Sequence, residues 1–299
     1  MSVKKEKASS ETLVTRQYQK RGQMSDIIYR VYKNKGAMVG VGILLIMFIM
    51  LIISFFMPLS MVTVGNPFLR LTPPNAQFPF GTDFLGRNEF YRVIYGTRYS
   101  LSLGFGAAGL GAILGITLGS IAGFFGKVID EVIMRCSDTL ASIPGILLGM
   151  VIVTTLGNGL PQLIIAVGVA SVPFFIRITR ASILVVRNQE FVEAAHAIGL
   201  GKFRILFTQV LPNGLSPIIV MFTVILGMSI ITGASLSFLG FGIPVPLPEW
   251  GSMIAWNREF MHTSAYLLTF PGVFIMLSVL SFNLIGDALR DALDPKLKR

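Results

Sequence analysis

Residues 99–126 read YSLSLGFGAAGLGAILGITLGSIAGFFG, without a single charged side chain. A helix crossing the hydrocarbon core of a bilayer needs roughly 20 mostly apolar residues, and this stretch exceeds that. Gly111, Gly115, Gly119 and Gly123 recur every fourth position, so they share one helical face. In lipid, apolar burial does not drive helices together, and small-residue ladders let backbones approach closely. The stretch therefore predicts a spanning helix with a packing face.

Four further charge-free stretches surround it: 36–69, 139–176, 205–248 and 260–286. The chain is 299 residues long, 53% apolar and 13% charged, against about a quarter charged in a soluble domain. The stretch 139–176 is long enough for two helices, with Gly157-Asn158-Gly159-Leu160-Pro161 as the turn. The predicted fold is an all-α integral membrane protein with six transmembrane helices near 37–57, 99–125, 139–156, 161–180, 214–237 and 265–285. Pro144 and Pro173 fall inside the third and fourth, as kinks or fixed bends.

The net charge of +10 is unevenly placed. With an inner N-terminus, twenty Lys/Arg lie on the inner side, and the outer loops hold five: Arg70, Arg87, Arg92, Arg98 and Arg258. That is the positive-inside pattern. It predicts cytosolic N- and C-termini, explains the basic balance without nucleic acid, and allows a secondary attraction to anionic membrane lipid. The organisation that follows is a cytosolic tail 1–36, mobile to about Met24 with a short interfacial helix near 25–35. A first membrane helix 37–57 and an extracytoplasmic loop 58–97 come next, in which Thr82 or Asp83 caps a short helix. The core 98–289 carries a cytosolic loop 187–213, and 290–299 form a tail.

Several chemistries are disfavoured. Gly104-Phe105-Gly106-Ala107-Ala108-Gly109 matches a dinucleotide-binding pattern, but no strand precedes it. Gly199-Leu200-Gly201-Lys202 resembles the end of a phosphate loop. His196 replaces its first glycine and Phe203 its magnesium-holding hydroxyl, so an ATP-driven process needs its engine on another chain. His196 and His262 are expected on opposite sides, Cys136 is the sole cysteine, and no cluster has metal-ligand spacing. No Asp, Glu, Lys or Arg lies deep in a predicted helix, which argues against an ion-driven relay. No catalytic residue, cofactor or metal ligand is predicted, and the chain is not expected to be an enzyme.

The loop 187–213 is polar amid apolar runs. Asn188 is suited to cap a helix starting at Gln189, and Phe191, Ala195 and Ile198 share a face by spacing. Gly199 can end that helix in the left-handed conformation, and a second helix runs from Lys202 towards Pro212. On these residues alone the loop either grips a soluble partner or lies on the lipid surface. Ser229, Thr232, Ser235 and Ser237 are candidates for lining a wet path, or else bond the preceding turn. Glu249 and Trp250, in a proline-rich stretch, are candidates for an outer gate or docking surface.

The string Glu193-Ala194-Ala195-x-x-x-Gly199 with Leu211-Pro212 resembles the E-A-A loop of permease subunits of bacterial ABC importers. Phe80-Gly81-Thr82-Asp83-x-Leu85-Gly86-Arg87 and Arg92-Val93-Ile94-Tyr95-Gly96-x-Arg98 resemble the oligopeptide/dipeptide/nickel branch, C-type subunit. So do Ala234 to Gly242, Trp250-Gly251 and the stretch Asn283 to Pro295. The resemblance implies a type I importer fold in the bacterial cytoplasmic membrane and a role in ATP-driven uptake of oligopeptides or dipeptides. It implies a B-type permease partner, two cytosolic ATPase subunits that hold ATP and magnesium, and an extracytoplasmic peptide-binding protein. Glu193, Ala194, Ala195 and Gly199 would couple to the ATPases. Nickel chelates, glutathione and oligosaccharides are alternative cargoes. A non-transporting membrane assembly or sensory protein is the alternative of another class. Asn88, Gly233 and Gln209 depart from the family's usual Asp, Glu and Ile.

Overall fold

The computed structural model describes residues 23–293, and every regular element in it is helical. The expectations for most of the N-terminal tail and for 294–299 fall outside the described residues. Helix α1 spans Gln23–Lys33, and α2 spans Lys35–Phe56 behind an Asn34 cap whose side chain accepts from the Ala37 N–H at 3.2 Å. Helix α3 runs Glu89–Phe125, α4 Lys127–Ala141, α5 Gly145–Leu156 and α6 Leu160–Val186. The short α7, Glu190–Ala197, precedes a helical run from Lys202 to Asn213, with a π segment over Leu206–Val210. Helix α8 is Leu215–Leu236, α9 Trp250–Asn257 and α10 Tyr266–Leu293. Five helices are long and apolar enough to cross a membrane, and α4 with α5 makes a sixth span if that bent pair counts as one.

The glycine ladder of α3 meets α6. A Cβ on Gly111 would strike Ser171, and one on Gly115 would sit 2.3 Å from Phe175 Cβ. On Gly119 it would lie 2.6 Å from the Ile176 carbonyl, and on Gly123 2.9 Å from Ile183 Cβ. Both numberings rise together, so α3 and α6 run parallel. A parallel pair requires the chain between them to travel back. Helices α4 and α5 make that return, bent by 86° across Ser142–Pro144. The single helix expected over 139–156, with a kink or fixed bend at Pro144, is instead two helices broken at that point. At about 1.5 Å per residue, α5 alone extends about 18 Å, short of the roughly 30 Å core. Pro144 is the N-cap residue of α5, at the break, whereas Pro173 lies inside α6 as expected.

The second spanning helix is also longer than expected. It starts at Glu89 rather than 99, so the loop before it ends near residue 88. Asn88, not Thr82 or Asp83, caps it by accepting from the Phe90 N–H at 3.0 Å. Asn is among the residues that cap a helix best, so the start of α3 needs no Asp at this position. Around this start, Asp83, Arg87, Glu89 and Arg92 are all buried. Asp83 Oδ1 accepts from the backbone N–H of Leu85 and Arg87, each at 2.9 Å, and Asp83 Oδ2 lies 2.6 Å from Arg87 Nε. Arg92 Nη1 donates to the Val62 carbonyl at 2.7 Å, which ties the preceding loop to α3.

Helix α2 packs antiparallel on α10, with Gly40 against Ser281 and Leu284 and Met47 against Ser278. Helix α8 packs antiparallel on α10, with Gly227 against Val279 and Gly286 against Thr223. The start of α2, the end of α3, residues 187–214 and the end of α10 therefore share one end of the bundle. The loops 57–88, 157–159 and 237–265 share the other.

Candidate coupling site

The loop between α6 and α8 is built on the ends of two spanning helices. The last carbonyls of α3 have no helical partner, and Arg187 Nη1 donates to one of them, Gly123 O, at 2.6 Å. Ile183 and Val186 of α6 form an apolar floor with Phe124 and Phe125 of α3. On it sit Val192, Ala195, Ile205, Leu206 and Val210.

Helix α7 places Glu190 and Glu193 in its first turn, where the helix dipole favours negative charge. Gln189, in extended conformation, occupies the cap position without a side-chain bond, and Asn188 is exposed. The expected Asn188 cap is thus replaced by bare backbone. At the other end, Gly199 N–H donates to His196 O at 3.0 Å, and Leu200 N–H to Ala195 O at 3.2 Å. This is a Schellman stop, and it needs a left-handed residue between helix and exit. Gly199 fills it at φ +82°, as the sequence predicts.

The stop also decides which face is buried. Leu200 turns back beneath the helix and joins Val192 and Ala195. Of the three residues that share a face by spacing, Phe191, Ala195 and Ile198, only Ala195 is buried. Phe191 is exposed and Ile198 is 77% exposed. Glu193, Ala194 and Gly199 are exposed as well, while Ala195 points inward. Phe203, 64% exposed, adds a further apolar projection next to Phe125. The loop thus presents an outward surface mixing carboxylates and large apolar side chains, held on a rigid apolar base.

Two ion pairs brace this end, and sequence reasoning missed both. Arg180 of α6 makes a two-pronged contact with Asp130 of α4, at 2.5 and 2.6 Å. Arg177 Nη2 donates to Asp138 Oδ1 at 3.0 Å. The signal was present in 127–141, where charges alternate with Val128, Ile129, Val132 and Ile133, the pattern of an amphipathic helix.

The other candidate residues fare differently. Ser229 and Ser237 are buried, and Thr232 and Ser235 are half-buried. Ser235 Oγ donates to the Ile231 carbonyl at 2.8 Å, and the residue lines a cavity of about 350 Å³ with Ile231, Phe238, Leu239 and Ile254. Glu249 and Trp250 are 1% and 0% exposed, not surface residues. Glu249 caps α9, accepting from Gly251 N–H and Ser252 N–H at 2.8 Å each. Trp250 Nε1 donates to the Val93 carbonyl of α3 at 3.1 Å. Gly251 permits this packing, since a Cβ there would lie 2.5 Å from Ala234 Cα. Gly233 is explained likewise: a Cβ there would strike the Leu103 side chain, so this arrangement has no room for a larger residue. Among the described residues no cluster of His, Cys, Asp or Glu is arranged to hold a metal ion.

The chain is a multi-pass helical bundle with parallel, glycine-laddered helices and a polar loop seated on an apolar base at one end. The chain belongs to the family of binding-protein-dependent transport system inner membrane components, which it matches over residues 115–299. Residues 22–79 match the N-terminal transmembrane domain of oligopeptide transport permease C. It is 45% identical over 269 residues to the dipeptide transport system permease protein DppC of Alkalihalophilus pseudofirmus, covering 89% of this chain and 88% of that protein. It is 41% identical to the di/tripeptide transport system permease protein DppC of Pseudomonas aeruginosa, covering 89% of each. It is 44% identical to the glutathione transport system permease protein GsiD of Pectobacterium atrosepticum, covering 75% of each. In fold it resembles a chain of the MetNI methionine ABC transporter in an inward-facing conformation. The TM-score is 0.57 at 19% identity, over 68% of this chain and 97% of that one. The protein is a multi-pass component of the cytoplasmic membrane and an ABC importer permease subunit.

Proposed function

We propose that this chain is the C-type permease subunit of an importer for dipeptides or short oligopeptides, driven by ATP hydrolysis on two partner ATPases. The observation that carries the coupling role is the loop's build. Its base is fixed to the ends of α3 and α6, while Glu193, Ala194, Ile198 and Gly199 face outward. A force applied there by a closing ATPase pair is transmitted to two spanning helices through packed side chains rather than absorbed by a loose linker. Coupling requires contacts that differ between two states, and this surface is where they would form.

The end of the bundle bearing the loop is the cytosolic one, with both termini. The basic excess of the segments assigned to that side supports this. A B-type permease completes the path, and an extracytoplasmic binding protein delivers cargo to the opposite end. The peptide cargo rests on relatives named for dipeptides, di/tripeptides and glutathione, itself a tripeptide. Ser235 and Thr232, half-exposed on α8, are offered to the path as weak hydrogen-bonding groups suited to peptide backbones.

The test pairs transport with assembly. Glu193→Lys and Gly199→Pro are expected to abolish uptake of labelled dipeptides and to reduce co-purification of the ATPase subunits, with normal membrane insertion. Normal uptake by a stably inserted double variant would overturn the coupling role. Intact ATPase association with no uptake of any di- or tripeptide by the wild-type complex would overturn the cargo alone.

A further inference from the structure

Beside the coupling loop, on its spanning-helix side, lies a cavity of about 210 Å³ lined by Phe124, Phe125, Arg187, Asn188, His196 and Lys202, with Val192 behind them. None of these side chains is acidic. Arg187 Nη1 donates to the carbonyl end of α3, and its guanidinium also lies close enough to the Asp130 carboxylate of α4 to help hold that group ionised. Lys202 and His196 are exposed, and the His196 ring stacks on Phe124 with centroids 6.3 Å apart. Basic donors converge on one small recess with an aromatic floor.

The depth of that floor indicates the ligand. Phe124 and Phe125 close the charge-free stretch 99–126, and Lys127 follows directly, so the recess sits where apolar core gives way to the polar interface. Next to it α4 exposes Val128, Ile129 and Val132, an apolar edge suited to acyl chains. Arginine and lysine at this level are suited to phosphate oxygens.

We propose that this recess binds a phosphate group, that of an anionic phospholipid headgroup, and so moors the coupling loop to the inner membrane surface. The recess lies where His196 turns toward Phe124, whereas Glu193 and Ile198 are exposed.

The complex of this chain with its partner subunits would be placed in nanodiscs of phosphatidylglycerol diluted in phosphatidylcholine, and retained phosphatidylglycerol measured by native mass spectrometry. The His196→Gln/Lys202→Gln variant is expected to retain it about tenfold more weakly, the effect of losing one to two charge-assisted hydrogen bonds. Arg204→Gln, an exposed position outside the recess, is expected to leave retention unchanged. Equal loss in both variants would mean diffuse surface charge and overturn the site. Unchanged lipid with loss of ATPase subunits from the double variant would assign the recess to a protein partner and overturn it too. A final arm adds inorganic phosphate alone to the detergent-purified complex. If phosphate raises the melting temperature of wild type but not of the double variant, while the nanodisc lipids are not discriminated, the membrane is overturned as the source.

Discussion

The two ends of this bundle treat charge in opposite ways. At the end formed by residues 57–88 and the start of α3, Asp83, Arg87, Glu89 and Arg92 are buried against each other and the backbone. At the coupling end, Glu190, Glu193, Lys202 and Arg204 are exposed, and the buried residues are Val192, Ala195, Ile205 and Leu206. Buried charges belong to architecture, because removing one partner leaves another uncompensated in a dry environment. Exposed charges over an apolar base belong to recognition. Both ends carry motif residues of the same family, so a motif by itself does not reveal which of the two roles it serves.

Substitutions should separate the ends by stability and by function. The largest loss of stability is expected at the buried end. Asp83→Ala leaves Arg87 without its carboxylate, and breaking a buried pair typically costs about 3–5 kcal/mol. The variant should fail to accumulate as a monodisperse species in fluorescence-detected size-exclusion chromatography. Recovery of wild-type yield would show that the cluster is not structural. Gly115→Val, in the ladder joining the two ends, forces a side chain onto Phe175. Overpacking of this kind costs about 1–3 kcal/mol, visible as a lower melting temperature.

Gly199→Ala is expected to be milder. The left-handed backbone costs a residue with a Cβ roughly 1–2 kcal/mol, and no atom lies within 4 Å of the position such a Cβ would take. Local protection of amides 195–200 in hydrogen exchange should fall while the spanning helices keep theirs. Glu193→Lys should change the melting temperature least and transport most. If instead it destabilises the fold as strongly as Asp83→Ala, the contrast between the ends collapses.

Much of the scaffold was legible from one-dimensional patterns. The Gly111–Gly123 ladder predicted a packing face and the structure supplies its partner in α6, because four-residue spacing is a property of the helix itself. Gly199 predicted a left-handed stop for the same local reason. The shared spacing of Phe191, Ala195 and Ile198 did not show which residues are buried, because the Schellman turn returns Leu200 under the helix beside Val192 and Ala195. Glu249 and Trp250 were read as an outer gate or docking surface because they sit in a proline-rich loop. Only the approach of Gly251 to Ala234 and of Trp250 to Gly96 puts them inside.

The sequence by itself determined a helical membrane chain, its approximate spans, its family and the loop that marks it, since these depend on hydropathy, local backbone preference and motif order. The parallel pairing of α3 and α6, the bent return through α4 and α5, the buried charges near Asp83 and the outward face of the coupling loop were decided by tertiary structure. The helix pairing depends on residues far apart in sequence, such as Asp130 with Arg180 or Arg187 with Gly123, and the buried cluster is tied down by the distant contact of Arg92 with Val62; no local pattern encodes these meetings.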